Sequence, residues 1–248
     1  MTLGPDKCYV AYHSVELLGH KVDRYGLSTL KEKTDAIASL AFPKTLAQLD
    51  YFLGFAGFYH YYVARFASLA ALLQHLKTRL YKGSPKKGPA RQTFTRSQKV
   101  VNPSAVEVAS FEAVKKALCS DLSLVHDDPS LPLLYYIDSS AEGLACAIHQ
   151  VPRHIMEEQN LKLEDVLNGN HDRTLERPVS YLSRLLSKYE HNYWPTELEI
   201  AGIVWSLQKT RHMAEGCVAV KMYTDHKSTE DILNARSLKT TSSVRQNL

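Results

Sequence analysis

Two aspartates stand in matching positions in the second half of the chain. Asp138 and Asp225 come at the ends of the apolar segments 131–137 and 218–223, with a predicted helix between them. A right-handed crossover through that helix would make the two strands parallel and adjacent, with both carboxylates at a ligand-binding sheet edge. Close carboxylates repel each other, and Mg²⁺ suits their oxygens. A single aspartate there is more often a strand-end cap, so the pair favours a metal site without deciding it.

A third acidic ligand is expected from the helix at about 197–212, where Glu197 and Glu199 are both candidates. Two positions apart on a helix, they point about 200° apart, so only one can face a metal site. The apolar arc of the helix lies closer to Glu197, whereas Glu199 shares a face with the small residues Gly202 and Ser206. A first-turn glutamate can also simply complement the helix dipole, which suits Glu197 better. Periodicity alone leaves the choice open.

Basic residues are concentrated in the middle of the chain. Between Asp50 and Glu107 there is no acidic residue, although the net charge of the whole chain is only +4. Such a segment could hold a phosphate backbone by releasing its counterions. A solvated basic linker without a partner explains the charge equally well. Its nine basic residues are Arg65, Lys77, Arg79, Lys82, Lys86, Lys87, Arg91, Arg96 and Lys99.

The elements that would position these residues differ between the two halves. Residues 8–27 predict a β-hairpin, with a strand at 15–22 and a turn at 23–26. Thr29 and Glu32 have the spacing of a capping box, which predicts a helix from about residue 30 to residue 41.

A small helical unit is expected to follow. Thr45 and Gln48 offer a second capping box ahead of apolar residues at helical spacing. A third apolar segment covers residues 62–76. Residues 81–106, rich in Lys, Pro, Gly and Ser, predict a connector.

The second half predicts an α/β domain with a mixed sheet, because strands precede and follow a long helix. A short helix is expected at 111–118 and another at 228–234, and residues 152–177 are expected to form a long polar loop. The predicted strands are 131–137, 144–151, 179–182 and 218–223.

Composition limits the class of protein. The four cysteines have no CxxC spacing, so we interpret them as reduced thiols of an intracellular protein. No apolar run approaches the roughly 20 residues of a membrane span, and no signal peptide is evident. The 248 residues, 44% of them hydrophobic, suffice for one large domain or two small ones.

Five segments resemble gypsy-type LTR retrotransposon polyproteins, in the order in which that family has them. In the second half, three segments resemble its ribonuclease H region: Tyr136–Ser140, Tyr193–Trp205 and Tyr223–Lys227. In the first half, Leu17–His20 resembles the primer-grip hairpin at the end of the reverse transcriptase palm, and Leu49–Tyr59 resembles the thumb helix. By this resemblance Glu199, not Glu197, is similar to the catalytic glutamate of the family.

The resemblance implies a ribonuclease H-like mixed sheet flanked by helices, preceded by a β-hairpin and a small thumb-like helical unit. We divide the chain accordingly into the end of the palm (1–28), the thumb-like unit (29–80), a basic linker (81–109) and a ribonuclease H-like domain (110–248). The polymerase motif is missing, and a fourth metal-binding aspartate of the family would lie beyond Leu248. We therefore expect a truncated fragment.

The implied reaction is two-metal hydrolysis of the RNA strand of an RNA–DNA hybrid, as part of RNA-directed DNA synthesis. Asp138, Glu199 and Asp225 would be catalytic and would hold two Mg²⁺ ions. Expected partners are the hybrid or another nucleic acid and the remainder of the polyprotein, with no membrane. The alternative is a catalytically dead remnant that binds nucleic acid without cutting it. The residues expected to contact nucleic acid are Leu18, Gly19, His20, Tyr59, Lys77, Arg79, Lys82, Lys86 and Lys87.

Overall fold

The computed structural model describes residues 11–120 and 123–225. It contains two four-stranded sheets. The first sheet, apart from a short strand at 123–125, and the first five α-helices come from the first half of the chain. The predicted mixed α/β architecture is confirmed. The predicted helix at 228–234 lies outside the described residues.

The first sheet is an antiparallel meander. Its strands are β1 (Ser14–Leu17), β2 (His20–Asp23), β3 (Gly26–Thr29) and β4 (Ser123–Val125). The predicted continuous strand at 15–22 is wrong, because Leu18 and Gly19 take φ values of 49° and 86° and form a tight turn. The predicted turn at 23–26 is confirmed: Asp23 Oδ1 accepts hydrogen bonds from the Tyr25 and Gly26 amides at 2.8 and 3.2 Å.

The helical unit packs around one apolar core. Its helices are α1 (Lys31–Ala38), α2 (Leu46–Phe58), α3 (Phe66–Leu80), α4 (Pro89–Ser97) and α5 (Ala105–Leu118). Thr45 caps α2 as predicted, accepting from the Gln48 amide at 3.3 Å. The Thr29 cap is wrong, because Thr29 belongs to β3 and Leu30 precedes α1.

The segment 81–106, expected to be a connector, contains all of one helix and the start of another. Helix α4 forms within it, although none of its residues is buried. Helix α5 begins at Ala105 rather than near residue 111, because Ser104 and Glu107 form a reciprocal capping box. Phe111 of α5 joins the core of the helical unit, so this helix packs on the first half of the chain. The division of the chain at residue 110 stays a prediction.

The second sheet is mixed. Its strands are β5 (Leu133–Ser139), β6 (Gly143–Gln150), β7 (Arg177–Leu185) and β8 (Val220–Tyr223). Strands β5 and β8 are parallel and adjacent, as predicted, with Tyr136 opposite Tyr223. The connection between β7 and β8 contains α8 (Pro195–Lys209) and α9 (Arg211–Ala214).

Helices cover both faces of this sheet. Ile203 of α8 packs on Tyr135 and Ile137 of β5. The other face is covered by α6 (Arg153–Glu158) and α7 (Leu163–Asn168), so the predicted loop at 152–177 is wrong. These two short helices bring Ile155 and Val166 against the sheet, and a loop prediction based on polarity overlooks such isolated apolar positions. Among the described residues, no helix is long and apolar enough to span a membrane.

Candidate functional site

Helix α8 separates the two candidate glutamates. Pro195 opens the helix, and the Glu197 carboxylate accepts a hydrogen bond from the Trp194 amide at 2.8 Å. Glu197 is therefore a helix cap on the exposed side. Glu199 is only 4% exposed and faces the sheet.

Gly202 allows α8 to approach β5 closely. A Cβ atom at this position would lie 2.6 Å from Ser139 Oγ and 3.1 Å from Ile137 Cγ2. A larger residue would therefore push the helix away from the strand. This close approach brings Glu199, one helical turn earlier, to the end of β5.

Glu199 connects the two strand ends that carry the aspartates. Its Oε1 accepts from the Ser139 amide at 3.2 Å, and its Oε2 accepts from the Thr224 hydroxyl at 3.0 Å. Ser139 directly follows Asp138, and Thr224 directly precedes Asp225. Burial raises the pKa of Glu199 and the charges of Asp225 and Asp138 raise it further, while the two hydrogen bonds oppose this rise.

The two aspartates lie at the same edge of the sheet. Tyr136 pairs with Tyr223, so continuing this register by two residues sets Asp138 opposite Asp225. Asp225 is exposed, and the Asp138 side chain is 37% exposed and forms an ion pair with Arg65. The donor chemistry fits Mg²⁺, whose usual protein ligands are carboxylate oxygens.

The three carboxylates do not close around a common point. In the described part of the chain, no group of three His, Cys, Asp or Glu side chains is arranged to hold a metal ion. Asp138 alternates along β5 with Ile137 and Ser139, which face α8, so its side chain leaves the strand on the other side. The structure thus brings Glu199 close to both aspartates, and their role as metal ligands stays a prediction.

The predicted primer-grip residues form a fixed turn. Leu18 is 83% exposed at the tip, and the carbonyl of Gly19 accepts from the Tyr59 hydroxyl at 2.9 Å. His20 stacks on Phe58 with ring centroids 4.9 Å apart, and burial lowers its pKa, which favours the neutral imidazole. Tyr59 is 2% exposed, so it anchors the turn and its ring is not available to stack on a base.

The predicted basic contacts fall into two groups. Lys77 pairs with Asp50 and Arg79 pairs with Glu107, each at 3.0 Å. These two cations are therefore already partly neutralised. The remaining three lie exposed around the turn between α3 and α4: Lys82, Lys86 and Lys87.

A buried polar cluster that was not predicted lies near the site. The Glu176 carboxylate accepts from the Tyr136 hydroxyl at 2.7 and 2.8 Å, and it bonds His149 and His171 at 3.1 and 3.0 Å. Tyr136 stacks on Tyr223 with ring centroids 4.8 Å apart. The cluster fixes β5 and β8 two residues before their aspartates. No local sequence pattern signals it, because its members are distant along the chain.

A family model matches most of the second half of the chain. Residues 128–247 match the model described as "RNase H-like domain found in reverse transcriptase". The predicted ribonuclease H-like fold is thereby confirmed.

Curated relatives match most of the chain. The Pol polyprotein from transposon opus of Drosophila melanogaster is 28% identical over 222 residues, which cover 89% of this chain and 19% of that protein. The corresponding gypsy polyprotein of the same organism is 26% identical over 231 residues, covering 91% and 19%. The Tf2-3 polyprotein of Schizosaccharomyces pombe is 24% identical over 223 residues, covering 90% and 14%. The chain thus spans about a fifth or less of the length of these relatives.

Solved structures share the fold. Foamy viral protease-reverse transcriptase in complex with dsDNA superposes with a TM-score of 0.65 at 18% identity, covering 96% of this chain and 40% of that one. The same viral protein in complex with an RNA/DNA hybrid gives a TM-score of 0.62 at 18% identity, covering 96% and 27%.

Proposed function

Because residues 128–247 match the model of the RNase H-like domain found in reverse transcriptase and most of the chain is similar to retrotransposon Pol polyproteins, we propose that it cleaves the RNA strand of RNA–DNA hybrids. Asp138, Glu199 and Asp225 are the proposed catalytic carboxylates, with two Mg²⁺ ions as cofactors. The proposed partners are the hybrid and the remainder of a longer polyprotein. The observation that carries the proposal is the bonding of Glu199 to both aspartate-bearing strand ends.

Each carboxylate has a distinct part in the proposed site. Glu199 is oriented from two sides, by the Ser139 amide and the Thr224 hydroxyl, so it offers a fixed ligand position. Asp138 and Asp225 are more exposed and can turn towards a shared ion at the sheet edge. When bound, the cations would activate water and neutralise charge on the phosphate. The three carboxylates repel one another, and a bound cation would relieve this repulsion.

The nucleic acid would be held away from these carboxylates as well. Lys82, Lys86 and Lys87 are exposed and would contact phosphates, and the turn at Leu18 and Gly19 would contact the backbone of one strand. Such contacts recognise the A-like shape of a hybrid rather than its sequence.

The test is a cleavage assay on a hybrid labelled in its RNA strand, with Mg²⁺ varied. Asp138→Asn and Glu199→Gln should each lower the rate by more than the roughly 10–100-fold typical of residues outside the metal shell. Glu197→Gln is the matched control, because it makes the same change two positions away on the same helix and should leave the rate unchanged. Cleavage that is indifferent to Asp138→Asn and Glu199→Gln would refute the assignment.

A second candidate function is hybrid binding without cleavage. It is favoured by one observation: within the described residues, no three His, Cys, Asp or Glu side chains are grouped so that they could hold a metal ion. Hybrid binding with no metal-dependent cleavage at any Mg²⁺ concentration would establish this alternative in place of the nuclease.

A further inference from the structure

Arg65 comes from the helical unit but contacts the second sheet. It directly precedes α3 in the left-handed conformation, with φ 52° and ψ 31°. A non-glycine residue with positive φ is uncommon. The Arg65 guanidinium forms an ion pair with Asp138, using both Nε and Nη2. The backbone conformation and the long-range contact thus occur at the same residue.

The surrounding contacts hold Arg65 in this place. The Ala67 amide at the start of α3 donates to Ser183 Oγ on β7 at 2.9 Å. Tyr181 on the same strand packs against the core of the helical unit. The start of α3 is therefore docked on the second sheet, with the Arg65 side chain directed towards the edge that carries Asp138.

Folding stability does not explain the contact. The side chains of Arg65 and Asp138 are 66% and 37% exposed, and an ion pair that is this accessible to water contributes little to stability. Its main consequence is local, since it gives a positive neighbour to Asp138, a carboxylate close enough to Glu199 for their charges to interact. The guanidinium compensates the negative charge of Asp138, as a bound metal ion would.

We propose that Arg65 is a resident cation of the carboxylate site, which a divalent ion must displace from Asp138 in order to bind. This inference rests on the proposed function, because it takes Asp138 as a metal ligand. The guanidinium neutralises Asp138 while the site holds no metal. Metal binding moves Arg65 aside, and the affinity for the metal is reduced by the strength of the ion pair.

The test measures Mn²⁺ binding to the whole chain by electron paramagnetic resonance, without nucleic acid. Arg65→Met should bind Mn²⁺ up to about fivefold more tightly than the unmodified chain, the largest factor expected from an exposed ion pair. Arg65→Gly is the second variant, because glycine suits the left-handed conformation and should preserve folding. Arg211→Met is the control: it removes the same charge from the exposed pair between Arg211 of α9 and Glu215, which follows that helix, and should leave the affinity unchanged.

A double-mutant cycle separates the possible outcomes. In an Asp138→Asn background, Arg65→Met should no longer change Mn²⁺ affinity if the two residues act on each other. If binding depends on Asp138 and Glu199 but both Arg65 variants match the unmodified chain, the resident-cation inference is wrong and the proposed site stands. If no variant shows binding that depends on these carboxylates, the proposed site is wrong and the inference falls with it.

Discussion

At the scale of single residues, the site is governed by one buried carboxylate. Glu199 lies at 4% exposure beside two aspartates, and within the described residues the Ser139 amide and the Thr224 hydroxyl donate hydrogen bonds to it. Such an arrangement is unfavourable for the folded chain without a cation, because both burial and like charges disfavour the ionised form. We interpret this cost as the feature that makes the position suitable for metal binding.

Glu199→Gln should therefore stabilise the metal-free protein at pH 7 by about 1 kcal/mol, as single stabilising substitutions commonly do. The folded-state pKa of Glu199 is raised above 4.5, so the unmodified protein loses stability as pH rises from 4.5 through the folded pKa. Glutamine does not ionise, so Glu199→Gln does not undergo this loss of stability as pH rises.

Urea unfolding at several pH values, with chelator present, measures this effect. The difference in free energy of unfolding between the unmodified protein and Glu199→Gln should be small below pH 4.5. It should reach its full size above the folded-state pKa of Glu199. A glutamine variant that is less stable than the unmodified protein at pH 7 would contradict this account of Glu199.

Among the secondary-structure elements, the buried polar cluster around Glu176 connects the segment between β6 and β7 to strands β5 and β6. Glu176 accepts hydrogen bonds from groups on β5, on β6 and in its own segment. These bonds outweigh the cost of burial and lower the pKa of Glu176. Its ionised form therefore supports the fold at neutral pH.

Glu176→Ala should destabilise the protein by about 3 kcal/mol or more, because it leaves several buried donors without an acceptor. Glu164→Ala, in the exposed part of α7, is the control and should change stability by less than about 0.5 kcal/mol. Urea unfolding at pH 7 compares the two variants. If Glu176→Ala and Glu164→Ala changed the free energy of unfolding equally, the cluster around Glu176 would not stabilise the segment between β6 and β7.

Local sequence signals predicted some of these elements and not others. The Thr45 cap and the parallel pairing of β5 with β8 followed from spacing and hydrophobic periodicity. The turn at Leu18 was missed, because leucine is an unusual residue at positive φ. The choice between Glu197 and Glu199 depended on the side of α8 that meets β5, which periodicity left open. The ion pair of Arg65 with Asp138 joins residues 73 positions apart, and no local pattern contains such information.

Across the whole molecule, some basic side chains are exposed to solvent, whereas others already form ion pairs with acidic side chains. Lys82, Lys86 and Lys87 are exposed, whereas Lys77 is paired with Asp50. A phosphate contact releases counterions, so each free lysine that binds the backbone steepens the salt dependence of affinity. Whether a lysine of the basic segment is exposed or already paired should therefore decide how much it contributes to the salt dependence of nucleic-acid affinity.

Replacing Lys82, Lys86 and Lys87 together by Gln should lower the slope of log affinity against log salt by about one for each lysine that contacts a phosphate. Lys77→Gln should change the slope less, because that charge is already neutralised within the chain. Fluorescence anisotropy with a labelled hybrid at several salt concentrations gives the slopes. An unchanged slope in the triple variant would remove these lysines from the binding surface.

Asp138, Glu199 and Asp225 are proposed to form a common metal site at the edge of the second sheet. Anomalous diffraction from crystals soaked in Mn²⁺ can show this site without any assay of activity, because the peaks locate the ions. We expect two peaks within coordination distance of these three carboxylates, with the Arg65 guanidinium moved away from Asp138. A carboxylate edge without any peak, in crystals that have taken up Mn²⁺ elsewhere, would contradict it.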